Sequence, residues 1–163
     1  MTEVTVYLAL GSNLGDRMGN LKSAVERLSR EITIRKVSLV YETEPVYYKK
    51  QPLFLNAVLS ALTELEPSAL LRLVKSIESD MGRQPSFRNA PRTVDIDILF
   101  YGERNIQTPE LTIPHSGIAE RAFVLVPLAE IAPGLVHPVT HKKVKDLLVA
   151  VEGVDGVRKF GDL

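Results

Sequence analysis

The chain opens on a run of branched and apolar residues, Val4-Thr5-Val6-Tyr7-Leu8-Ala9-Leu10, which meets the turn signal Gly11-Ser12-Asn13-Leu14-Gly15-Asp16. A first strand over residues 4–10 is expected, because such side chains fit a pleated, half-buried surface. Leu21, Ala24, Val25 and Leu28 then recur at helical spacing with Asp16 or Asn20 near the start, predicting an amphipathic helix that ends near Arg30. Residues 33–41 place Val37, Leu39 and Tyr41 on one face by alternation and are read as one strand; residues 54–62 form a second apolar run of strand length. Pro67 suits the first turn of a second helix, Leu70, Leu71, Val74, Ile77 and Met81 mark its buried stripe, and Gly82 fits the left-handed position past its end. Residues 94–101 alternate over their first five positions and predict a fourth strand.

Strand, helix, strand, strand, helix, strand is the order of an α+β, ferredoxin-like split βαβ fold. Its antiparallel sheet carries both helices on one face and leaves the other open for a site. Beyond Gly102 the prolines multiply, with short helices expected over 122–131 and 145–151, so this part is read as an irregular covering layer. At 163 residues without repeats or long linkers, residues 1–163 are expected to form a single domain.

Composition narrows the possible chemistry. With 45% hydrophobic and 25% charged residues the chain has a globular profile, and 20 basic against 20 acidic residues leave no net charge to drive nucleic-acid or membrane binding. No apolar run approaches the roughly 18 residues that cross a bilayer. The absence of cysteine excludes thiolate metal sites and Cys nucleophiles and suits a cytoplasmic protein.

Asp95-Ile96-Asp97 is the strongest local signal, because residues two apart on a strand share a face with Cα atoms about 6.5–7 Å apart. Two carboxylates held this close raise each other's proton affinity unless a cation sits between them, and magnesium accepts such a pair together with phosphate oxygens. Arg83, Arg88 and Arg92 precede them with no acidic residue from 82 to 94, and guanidinium forks match phosphate. The combination describes a nucleoside triphosphate site. His115 and Arg121 would extend it, and Phe123 offers a face for a planar ring. Asn56, inside the apolar run 54–59, is either a satisfied structural amide or a recognition group for a heterocycle. The segment 82–91, without an apolar face, is expected to be mobile when empty and to close over a bound polyphosphate. His137 and His141 lack an evident third ligand for zinc.

Arg88-Asn89-Ala90-Pro91-Arg92-Thr93-Val94-Asp95-Ile96-Asp97-Ile98-Leu99, together with Ala9-Leu10-Gly11-Ser12-Asn13-Leu14-Gly15 and Gln51-Pro52-Leu53-Phe54-Leu55-Asn56, resembles the signature of the 6-hydroxymethyl-7,8-dihydropterin pyrophosphokinase family. The resemblance implies transfer of pyrophosphate from ATP to the pterin hydroxymethyl group, with two magnesium ions on Asp95 and Asp97 and with Arg83 and Arg92 on the polyphosphate. It implies Glu78, Arg92, Ile98, Thr112, His115 and Arg121 around ATP, and Thr43, Val46, Phe54, Asn56 and Phe123 around the pterin. A monomer is expected, with these two small molecules as its partners. Asn89, Glu110, Ser116, Glu44 and Phe54 depart from residues frequent in the family. A two-metal phosphohydrolase and a noncatalytic RNA-binding module are the alternatives; the second predicts basic strands with exposed aromatics, where this strand offers Asp95 and Asp97.

Overall fold

The computed structural model describes residues 2–44, 50–82 and 93–163. Strand β1 (Val4–Ser12) runs two residues past its expected end because Gly11 and Ser12 still pair with Asn56 and Leu55. Helix α1 (Arg17–Ser29) starts where the Asp16 carboxylate accepts the Gly19 N–H at 3.1 Å. Helix α2 (Pro67–Asp80) begins on Pro67, and Gly82 beyond its end has a φ of +90° that a side chain would oppose.

The stretch 33–41 corrects the single-strand expectation. It forms β2 (Thr33–Val37) and β3 (Val40–Thr43), both antiparallel to β4 (Phe54–Thr63). Ser38 makes the break: its N–H donates to the Val58 carbonyl at 2.9 Å and its hydroxyl accepts the Val58 N–H at 2.9 Å. One residue thus occupies both main-chain groups of Val58, and the ladder is interrupted there. Strand β5 (Asp95–Tyr101) lies antiparallel to β1, with a register shift at Tyr7/Leu8 that leaves Leu99 unpaired in the ladder. Leu99 and Phe100 consequently pack on the same side, which is why the alternation of this strand fails at its end.

After a small hairpin of β6 (Ile106–Gln107) and β7 (Thr112–Ile113) come α3 (Ala122–Ile131), α4 (Val144–Ala150) and β8 (Val157–Gly161). Strand β8 pairs with β3, so the sheet runs β5-β1-β4-β3-β8 with β2 also on β4. The segment expected only to cover the sheet therefore also extends it. Val6, Leu8, Leu10, Ile96 and Ile98 pack against Leu21, Ala24 and Leu28 of α1 and Leu70, Val74 and Ile77 of α2. On the opposite face Val58, Leu99 and Phe100 meet Val124, Leu125 and Leu128 of α3 and Val144 and Leu147 of α4. The face expected to be open is thus covered over part of its length. Glu130 of α3 accepts the Tyr41 hydroxyl at 2.6 Å and the Leu39 N–H at 3.0 Å, tying this layer to β3. Burial, then the neighbouring carboxylate, push the Tyr41 phenol up to about 12. Among the described residues no helix is long and apolar enough to cross a membrane.

Candidate functional site

Strand register assembles the site. Asp95 lies opposite Gly11, Gly11 opposite Asn56, and Asn56 opposite Tyr41, while Asp97 lies opposite Ala9 and Ala9 opposite Val58. Directly opposed residues share a face and residues two apart return to it, so Asp95, Asp97, Phe54, Asn56 and Thr43 all point to the α3 side. Ile96 and Ile98 point into the core beneath. Helix α3 covers the far part of this face, and its N-terminal residues Arg121 and Phe123 border the remainder, the guanidinium 5.8 Å from the Phe123 ring centroid.

Asp97 is pushed up to about 7, first by burial and then by the Asp95 charge, with Glu78 adding and Arg121 and Lys75 opposing. Mutual repulsion, expected from spacing alone, is therefore the second cause. Beyond the cis Ile113–Pro114 peptide, the His115 N–H donates to the Leu99 carbonyl at 3.1 Å and its Nδ1 accepts the Gly117 N–H at 3.0 Å. This leaves Nε2 facing Asp97 Oδ1 at 4.0 Å. Burial and the Arg121 charge hold the imidazole below its ordinary value, against the opposing pull of Asp95. The arrangement joins a proton-retaining carboxyl to an imidazole that resists protonation, and a cation would reorganise both.

At the other end of the row, the Asn56 amide donates to the Thr43 hydroxyl at 2.6 Å, both side chains being buried. The entry to β4 is held by two further side chains. Asn13 donates to Gln51 Oε1 at 2.7 Å and to the Pro52 carbonyl at 3.2 Å. Arg17 bridges Glu42 Oε2 at 2.8 Å and the Leu53 carbonyl at 3.0 Å. Phe54 and Asn56 thus emerge from a segment fixed at its last turn.

The structure brings together Asp95, Asp97, His115 and Arg121 at one end and Thr43, Phe54, Asn56 and Phe123 along the same face. Ile98 contributes no side chain to it, being buried among the helices, and Thr112 is exposed on β7. Glu78 is also buried, its Oε2 accepting the Ile96 N–H at 2.8 Å and its Oε1 lying 3.5 Å from Lys75 Nζ. It therefore braces the peptide between the two aspartates from below. A charged residue four positions after Val74, within the apolar stripe of α2, was the available signal for that role. Arg83, Arg88, Arg92, Val46 and most of the segment 82–91 lie outside the described residues.

The described residues form an α+β fold that sets an acidic pair, Asp95 and Asp97, and a buried amide, Asn56, on one sheet face. The sequence matches the family model for 7,8-dihydro-6-hydroxymethylpterin-pyrophosphokinase (HPPK) over residues 7–133. The chain belongs to that family. It is 43% identical to a 2-amino-4-hydroxy-6-hydroxymethyldihydropteridine pyrophosphokinase of Aquifex aeolicus, over 87% of this chain and 89% of the relative. It is 48% identical to the Bacillus subtilis protein of the same name, over 77% of this chain and 76% of that one. A folic acid synthesis protein of Dictyostelium discoideum is 47% identical over 83% of this chain, which spans only 21% of that longer protein. The fold is shared with a Plasmodium falciparum HPPK-DHPS crystal structure at a TM-score of 0.74 and 18% identity, covering 91% of this chain and 42% of that one.

Proposed function

We propose that this protein transfers the pyrophosphoryl group of ATP to the hydroxymethyl oxygen of 6-hydroxymethyl-7,8-dihydropterin, releasing AMP and the pterin diphosphate. The observation that carries the reading is the row Asp95–Gly11–Asn56, which sets an acidic centre and a buried amide side by side on one face. The sheet order with α1 and α2 on one side supports a ferredoxin-like arrangement, extended by β8, within one domain spanning the chain.

Magnesium fits the chemistry of Asp95 and Asp97: the ion takes one or two carboxylates and completes its shell with water and phosphate oxygens. Two bound ions would neutralise the polyphosphate and polarise the phosphorus under attack. The remaining work falls to the chain. Thr43 and Asn56 orient the pterin by hydrogen bonds, Phe54 and Phe123 hold its faces, and Arg121 and His115 receive the nucleotide with Thr112, the main chain of Ile98 and the brace at Glu78. Arg83 and Arg92 are assigned to the transferring phosphates. The hydroxymethyl oxygen attacks the β-phosphorus in line as AMP departs, so catalysis consists of positioning and charge stabilisation without a covalent enzyme intermediate. We read the protein as a cytoplasmic monomer whose partners are these two substrates, with no nucleic-acid or membrane partner.

Incubation with MgATP and the hydroxymethyl dihydropterin, followed by mass identification of products, tests the assignment. AMP and a pterin diphosphate are expected; ADP with a monophosphate, or AMP formed without the pterin, would overturn it.

A further inference from the structure

Gly11 stands in the middle of the functional row, with Asp95 opposite on one side and Asn56 opposite on the other. Neighbouring strands lie about 4.8 Å apart, so Asp95 and Asn56 flank roughly 10 Å of sheet whose middle strand offers only a glycine there, with the Asn56 amide and the edge of the Phe54 ring against it on one side. A Cβ at this position would lie 3.0 Å from Asn56 Oδ1 and 3.5 Å from Phe54 Cδ1. The glycine is therefore on the site face. Its backbone is an ordinary strand backbone without positive φ, so conformation alone does not call for glycine here. In a strand interior glycine is a poor choice, since it adds chain entropy to the unfolded state and packs nothing.

We propose that Gly11 is a specificity-determining residue. Its missing side chain is the gap through which the carbinol arm of the pterin crosses from the Asn56 pocket to the phosphates held at Asp95 and Asp97. This rests on the function proposed above and names the floor of the transfer path. The neighbouring amide cannot swing aside to admit a methyl group, because Asn56 Nδ2 is held by the Thr43 hydroxyl at 2.6 Å within a buried environment. A methyl at position 11 therefore presses on the amide that reads the heterocycle and fills the space above the strand. In the next row the corresponding position, Ala9, lies against Val58 in the second core, so the requirement for glycine is local to the site row.

The test is Gly11→Ala, with pterin and a nonhydrolysable ATP analogue with magnesium titrated separately by calorimetry. The expected result is a folded protein whose thermal midpoint is lowered by a few degrees at most, nucleotide affinity within about twofold, and pterin affinity lowered tenfold or more. Near-parental pterin affinity in a folded Gly11→Ala protein overturns the proposal while leaving the activity reading intact. Asn56→Ala is measured alongside; if that variant also binds pterin normally, the pocket assignment fails and the Gly11 proposal falls with it. Should Gly11→Ala not fold, the parent protein labelled with 13Cα-glycine gives the answer directly. Pterin should move the Gly11 α-proton resonances by its ring current more than those of the other nine glycines, and unmoved Gly11 signals refute the gap.

Discussion

Replacing Thr43 by valine keeps the shape of a buried strand residue and removes one oxygen. The Asn56 amide then loses its partner at 2.6 Å, and because both residues are buried, water cannot readily take over. An unmet buried polar group costs about 1–3 kcal/mol. In a chain of this size each kcal/mol corresponds to about 2–4 °C of thermal midpoint, so a fall of several degrees is expected. The same change frees the amide to rotate, so pterin affinity should fall while nucleotide affinity holds. Scanning calorimetry on the free protein and separate titrations with each ligand report the two effects. Tyr41, the next residue on this face of β3, keeps its bond to Glu130 in the variant, so β3 itself should stay in place. A Thr43→Val protein with parental midpoint and parental pterin affinity would refute the reasoning, since the hydrogen bond would then contribute neither stability nor orientation.

Asp97→Asn should abolish turnover while sparing the fold, and magnesium titration of the variant should show weakened binding; near-parental turnover at limiting magnesium would sink the cation assignment. Because the folded Asp97 carboxyl is raised from 3.8 to about 7, the native state holds a proton that the unfolded chain releases, so its contribution to stability is lost as pH rises across that window. Urea midpoints of parent minus Asp97→Asn should accordingly decline from pH 4 to pH 7 and level off above, and a flat difference would contradict the shift. Phe123→Ala should weaken pterin far more than nucleotide in calorimetric titration, because it removes stacking area and leaves the phosphate contacts in place. Arg17→Gln should raise the KM for pterin with little change in the KM for ATP, as the clamp on Glu42 and Leu53 loosens at the entry to β4; equal changes in both would point to general damage.

The two amphipathic helices and the Asp95–Asp97 face were legible because each rests on a local period: 3.6 for Leu21 to Leu28 and Leu70 to Met81, and 2 for the aspartates. The interruption at Ser38 was not, since it depends on which residue of β4 lies opposite. The same holds for Leu99, whose displacement from the ladder is set by pairing with β1, and for β8, a short polar edge strand whose partner is more than a hundred residues away. Within the site, residue types carried the carboxylates and the amide, whereas Gly11 became informative only once register placed it between them. Glu78 shows the limit from the other side: its position in a buried stripe was visible, but the main-chain group it meets belongs to another element.

The sheet is a wall shared by two packed layers, and the site draws on both. Asp95, Asp97, Asn56 and Thr43 belong to the strands, whereas His115, Arg121 and Phe123 belong to the layer that carries α3 and α4. Proteins open in cooperative units of unequal stability, and a layer resting on one face of a sheet is a natural unit of that kind. Transient detachment of the α3–α4 layer would then dismantle the proposed nucleotide and pterin contacts together while the central strands stayed paired. Either ligand, by bridging strand to layer, would suppress that opening and leave less ordering for the second to supply. Cooperative binding of the two substrates would follow from the way the molecule comes apart, with no need for contact between them.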